Sequence, residues 1–334
     1  MTSCNPLRSA LLAAVALAIL GAGAIPVRAA AATQWTVIVG GHPADNSVYA
    51  NGFYPRELTI HVGDTVTWQF DGFHNVTFLS GATSPQFAIK GGDKMYANPK
   101  VFFPAGGKTY AGVGFYNSGT PQDDKPFSYS LTFTKPGRYE YACTIHAGMA
   151  GVVNVVRGSV SETPSAELAR GRAEQAATLA AATSAYDGMR PVRNGSSIAV
   201  RLIGNHDDRY SILRFTREPL VISVGSTVTW TVNDPFEIHT VTFNGDKHLQ
   251  FIVPEPQPNG PPKLELSAAV LTPTNKKSYD GTGFVNSGLL FPAGNPAHLP
   301  SSFSLTFTKP GRYEYWCLVH KDAGQRGIII VKKS

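Results

Sequence analysis

The sequence predicts an all-β protein made of two similar units joined by a partly helical connection. Three observations predict it. The string SLTFTKPGRYEY at residues 130–141 recurs word for word at residues 304–315. Within it, Leu131 and Phe133, like Leu305 and Phe307, alternate with polar residues as a strand with one buried face does. The chain is also rich in Gly and Pro as well as Thr, Val, Phe and Tyr, a composition that favours strands closed by turns. A length of 334 residues suits two domains better than one.

Residues 1–32 read as an export signal. Arg8 precedes an apolar run at residues 10–20, and small residues at 29–32 offer a cleavage site. The run is too short to span a bilayer comfortably, and no other segment is apolar enough. Cys4 precedes the run and is expected to leave with it.

The first repeat is expected over residues 33–157 and the second over residues 197–334. Strand-like runs begin at Trp35 and Leu58, and TVTW follows at residues 65–68. In the second repeat the matching pieces begin at Leu220 and at Thr227, where TVTW recurs. A histidine follows each TVTW, in FHNVTF (His74) and IHTVTF (His239). Because the matched pieces keep their order, the chain is an internal duplication. Between each histidine and the repeated string lies a long irregular section ending in a shared phrase, GVGFYNSG or GTGFVNSG. Its glycines have no strand–turn–helix context, so it reads as a structural loop and not a phosphate cradle. The proline-rich residues 254–262 read as an exposed loop.

Residues 158–196 form the connection. Thr163-Pro164 can start a helix, residues 166–185 are alanine-rich, and Gly188 can end it. Gly171 weakens that helix. A helical spacer and a partly disordered linker would both serve.

Each copy of the repeated string delivers a cysteine and, three residues on, a histidine: Cys143 and His146, Cys317 and His320. With His74 and Met149, the first repeat holds two imidazoles, a thiolate and a thioether, the donor set of a blue-copper electron-transfer centre. The second repeat has His239, Cys317 and His320 but no methionine. Aligning Gly327 with Gly151 puts Gln325 opposite Met149, and an amide oxygen can replace the axial sulfur. Two copper centres of unequal potential are expected, the Gln325 site lower. Taken singly, His74 could be a buried structural histidine, Met149 core filler and Cys143 an inert thiol. An exported protein would usually pair two cysteines in a disulfide, but a histidine three residues after each favours metal protection.

With these residues in view, both repeats resemble the cupredoxins of the plastocyanin and azurin superfamily, through HNVTF at His74, PGRYEY and the two Cys-x-x-His loops. The Cys143, His146, Met149 spacing is similar to that of amicyanin. The resemblance implies two Greek-key β-sandwiches, each with copper near one end, and redox proteins as partners. It does not extend to the connection or the long insertions.

The reading is an exported electron carrier with no catalytic residues. A duplicated copper oxidase or nitrite reductase would need further histidines in His-x-His pairs or beside the cysteine, and the spare His42, His61, His206, His248 and His298 form none. Copper storage or delivery would call for Met- or His-rich clusters, which are absent from the sequence. The formal charge of +6 is modest, and no basic run with interleaved aromatics points to nucleic acid.

Overall fold

The computed structural model describes residue 1 and residues 32–123, 125–245 and 249–333. The expected export signal, with Cys4, lies outside the described residues except for Met1 and Ala32, and His248 lies outside them too.

Each repeat folds as a two-sheet sandwich. In the first, one sheet runs in the order Thr109–Tyr110, Ser128–Phe133, Thr65–Asp71, Gln34–Gly40, Phe53–Tyr54, and the other runs Glu57–His61, Ala150–Val156, Gly137–Ala142, Thr77–Phe78, Tyr116–Ser118, Pro104–Ala105. The second repeat follows the same plan from Ser197–Asn205 to Arg326–Lys332. In both, the opening strand lies parallel to the TVTW strand, and the closing strand lies parallel to one that precedes TVTW.

The identical string survives in both copies because it does the same physical work twice. Leu131, Phe133 and Tyr141 are buried in the first core, and Leu305, Phe307 and Tyr315 in the second. Trp68 and Trp230 meet Tyr141 and Tyr315 edge-on, each at 5.3 Å between ring centroids, an arrangement aromatic rings favour. The Pro-Gly turn is closed from outside: the Tyr139 and Tyr313 hydroxyls donate to the Lys135 and Lys309 carbonyls at 2.9 Å. A Cβ on Gly151 or Gly327 would lie 2.5 or 2.3 Å from the ring of Tyr141 or Tyr315, so the glycines seat those rings.

The shared phrase before each copy of the string is structural, though part of it is strand. Asn117, in Tyr116–Ser118, is fully buried and donates to the carbonyls of Lys100 and Val101 in the short helix α1 (Pro99–Phe102). Asn286 does the same for Ala269 and Val270 in helix α3 (Ala268–Leu271). Each amide meets carbonyls that a helix end leaves without partners.

The connection differs from a spacer. Helix α2 (Pro164–Gly188) is capped at Thr163, whose hydroxyl accepts from Ala166 N–H. Its buried positions are small or polar: Glu167, Gly171, Thr178 and Ala182. Gly171 therefore belongs in this helix. A Cβ there would sit 2.6 Å from the Tyr54 carbonyl oxygen, so glycine is what lets α2 lie against the strand Phe53–Tyr54. Gln175 then donates to Gly40 O at 2.7 Å.

The two halves also share sheets, which the sequence did not indicate. Val48–Ala50 of the first half pairs antiparallel with Tyr210–Ile212 and so extends a sheet of the second. The two long insertions pair with each other: Ala88–Gly91 and Lys94–Ala97 join Ile252–Glu255 and Lys263–Leu266 in a four-stranded sheet. Pro254 and Glu255 thus lie in a strand, not in the expected loop. Behind this sheet, Val101, Phe102, Leu266, Val270 and Leu318 form an apolar cluster drawn from both halves.

Candidate metal centres

In the first half the chain leaves Thr65–Asp71 and places His74 at the mouth of the sandwich. Gly137–Ala142 ends at Cys143, and the loop carrying His146 and Met149 leads back into Ala150–Val156. His74, Cys143 and His146 come together, as do His239, Cys317 and His320, with one ligand atom from each lying within 4.8 Å of the others. Cys143 and Cys317 are free and buried, so the disulfide alternative is not realised.

The geometry faces inward. His74 Nδ1 and His146 Nδ1 lie 2.9 Å apart, and Cys143 Sγ is 3.5 Å from His146 Nδ1. In the second half, Cys317 Sγ lies 3.6 Å from His320 Nδ1 and 3.9 Å from His239 Nδ1. Gln325 Oε1 stands 3.1 Å from both of those nitrogens. Met149 and Gln325 hold equivalent backbone positions: Cys143 N–H donates to Met149 O at 2.9 Å, and Cys317 N–H to Gln325 O at 3.0 Å. Both side chains are fully buried.

Neighbouring polar groups fix these loops. Asn75 Oδ1 accepts from Thr144 N–H, next to Cys143, and Thr240 Oγ1 accepts from Leu318 N–H, next to Cys317. Thr240 N–H points at the Cys317 sulfur at 3.4 Å. Gly40 closes the back of the first site, since a Cβ there would meet His74 Nε2 at 2.5 Å.

Burial alone would keep both thiols neutral. The charges of His146 and His320, with hydrogen bonds from both imidazoles at each site, outweigh it and hold Cys143 and Cys317 well below the ordinary thiol range. Burial pushes His74 down. It also opposes protonation of His146 and His320, but Glu237 and the cysteines prevail, raising His146 to about 10 and His320 well above its usual value. Two buried cysteine sulfurs, each among imidazole nitrogens, fit a copper ion by the chemistry of the donors.

Glu237 was not anticipated. Its carboxylate is buried between the two sites, with Oε1 3.3 Å from His146 Nε2 and Oε2 3.1 Å from His320 Nε2. Burial works against its charge, but the two imidazoles outweigh that and hold it well below the usual carboxylate range. A sequence signal for it existed. The first repeat reads DGFH and the second DPFEIH, so Glu237 and Ile238 are an insertion between the phenylalanine and the histidine.

Fold and sites together define a tandem cupredoxin, a copper protein with one candidate centre per sandwich. The profile of the copper-binding plastocyanin/azurin family matches residues 49–156. Amicyanin of Paracoccus denitrificans is 30% identical over 161 residues, 46% of this chain and 99% of that protein. Chloroplastic plastocyanin of Physcomitrium patens is 34% identical over 146 residues, 42% of this chain and 69% of that protein. A solved amicyanin variant in its oxidised form aligns at 20% identity and a TM-score of 0.24, covering 42% of this chain and 86% of its own. The chain belongs to the copper-binding plastocyanin/azurin family.

Proposed function

We propose that the protein is an electron carrier with two type 1 copper centres. His74, Cys143, His146 and Met149 would hold one ion, and His239, Cys317, His320 and Gln325 the other. The observation that carries this reading is the convergence of two imidazoles and a cysteine sulfur, buried except for a partly exposed His320, twice in one chain. Copper supplies a one-electron couple in such a site. The chain's own part is to hold the donors fixed by buried hydrogen bonds, keep the thiols ionised and exclude water.

Gln325 offers a harder donor than Met149, which favours the oxidised ion and sets the second potential lower. Three of the spare histidines are engaged elsewhere. His42 faces Asp71 at 3.2 Å, His61 lies beside Asp64, and His206 stacks on Phe236. Among the described residues no further His, Cys, Asp or Glu cluster of metal-holding geometry forms. We infer export through the N-terminal signal, action outside the cytoplasm and soluble redox proteins as partners. No described helix is long and apolar enough to cross a membrane.

Copper counting with visible and EPR spectra of the full chain, of Cys143→Ser and of Cys317→Ser tests the assignment. Two coppers with intense thiolate-to-copper absorption are expected, each substitution removing one. A full-length protein that binds a single copper, or that turns over nitrite or consumes oxygen with a phenol, refutes it.

A further inference from the structure

The imidazole edges facing away from the two metal positions meet at one side chain. His146 Nε2 and His320 Nε2 lie against different oxygens of Glu237, at 3.3 and 3.1 Å. The residues around Glu237 come from both halves. Asp234 Oδ1 accepts from the backbone N–H groups of Phe236 and Glu237 at 2.9 and 3.3 Å, fixing the turn that carries the carboxylate. The same oxygen accepts from Ser211 Oγ at 3.0 Å, and Ser211 accepts from the Asn51 amide of the first half at 2.8 Å. A Cβ on Gly204 would strike Asp234 Oδ1 at 2.4 Å, so the fit is close. Phe236 stacks on His206, and His206 Nε2 in turn lies where a Cβ on Gly148, in the first copper loop, would be.

Resting on the two-copper reading, we propose that Glu237 is a shared positioning residue that makes the two centres a coupled pair, with electrons exchanged between them inside the chain. Accepting an Nε2–H from each histidine leaves both Nδ1 atoms free for metal and makes both rings better donors. It also forms a continuous bridge of imidazole, carboxylate and imidazole. With copper held by both ligand sets, this bridge would offer a single electron a path from one site to the other, with no bond formed or broken and no proton released. The two-residue insertion before His239 is what supplies this bridge. The first repeat, with no counterpart, presents only His146 to it.

The test uses the full chain with Glu237→Leu and Glu237→Gln. Copper titration against a competing chelator reads the affinity of each site, and rapid one-electron reduction followed by absorption at the two centres reads exchange between them. Glu237→Leu should weaken both sites together, by about ten- to a hundredfold each, the range for removing a carboxylate behind a histidine ligand, and should abolish the rapid exchange phase. Glu237→Gln can accept from one imidazole only and presents an N–H₂ to the other. It should therefore weaken one site more than the other and shift the two potentials unequally. If Glu237→Leu does not fold, the Gln variant decides alone. Two bound coppers in every variant with affinities, potentials and exchange unchanged would overturn the proposal. A wild-type chain holding fewer than two coppers would instead overturn the function on which it rests.

Discussion

Gly171→Ala sets two ordinary effects against each other, and the structure says which wins. In an exposed helix interior, alanine stabilises relative to glycine by about 1 kcal/mol. At position 171 the added Cβ would stand 2.6 Å from Tyr54 O and 2.7 Å from Pro55 N, both backbone atoms that cannot swing aside. Ordinary contact begins near 3.4 Å, so α2 would have to withdraw by the difference, 3.4 − 2.6, or about 0.8 Å. Overpacking of this kind costs about 1–3 kcal/mol. Withdrawal also stretches the Gln175 bond to Gly40 O and the Arg170 bond to Glu57 O, each worth about 1 kcal/mol. The sum favours destabilisation by roughly 1–3 kcal/mol, a fall in melting temperature of several degrees. Gly188→Ala is the control. Nothing lies within 4 Å of its Cβ position, so it should be neutral or slightly stabilising. Denaturant unfolding of both variants reads the difference directly. Two substitutions of the same sign and size would show that α2 does not press on the strand Phe53–Tyr54.

Gln325→Met should raise the potential of the second site towards that of the first, and Met149→Gln should lower the first. Spectroelectrochemistry checks both, and no movement in either would remove these residues from the axial positions. Metal uptake should release protons. His146, held up to about 10, carries a proton on Nδ1 at neutral pH that an ion must displace. The apparent copper affinity of the first site should therefore rise with pH through the neutral range, by at most about tenfold per unit, and level off near the raised value. Asn117→Leu leaves the Lys100 and Val101 carbonyls at the end of α1 without their buried donor and should cost about 1–3 kcal/mol, read by thermal unfolding.

What the sequence made legible were features with a local period or a repeated spelling. The alternation in residues 130–133 and 304–307 gave the strands, and the Pro-Gly turns gave their ends. The spacing after Cys143 and Cys317 pointed to His146 and His320, which join the two clusters, and to Gln325, whose amide oxygen lies beside both imidazoles of the second. Features that depend on a distant partner were not legible. Val48–Ala50 is only three residues long, and its reason for being a strand is Tyr210–Ile212, far away in the chain. Gly171 looks like a helix breaker until Tyr54 is placed against it. Glu237 is one acid among many in the sequence, and its meaning comes from the two imidazoles that close on it from different halves.

Two of the differences between the repeats bear directly on the two candidate centres. Where both must pack the same core and close the same turn, the spelling stayed identical over residues 130–141 and 304–315. Two differences in length lie in the segments that carry the candidate ligands. Between Phe236 and His239 lie two residues, where Phe73 and His74 are adjacent. The loop from Cys317 to Gln325 spans nine positions, against seven from Cys143 to Met149. The first change supplies the carboxylate that both outer histidines share, and the second, which falls after His320, leaves Gln325 beside both imidazoles. Two independent carriers on a string would need neither. Strands exchanged through Val48–Ala50, insertions zipped into one sheet and a helix pressed on the strands hold the halves at a fixed separation. Fixed separation is what a shared carboxylate requires, because hydrogen bonds near 3.1 and 3.3 Å to two rings at once do not survive relative motion of the halves by even an ångström.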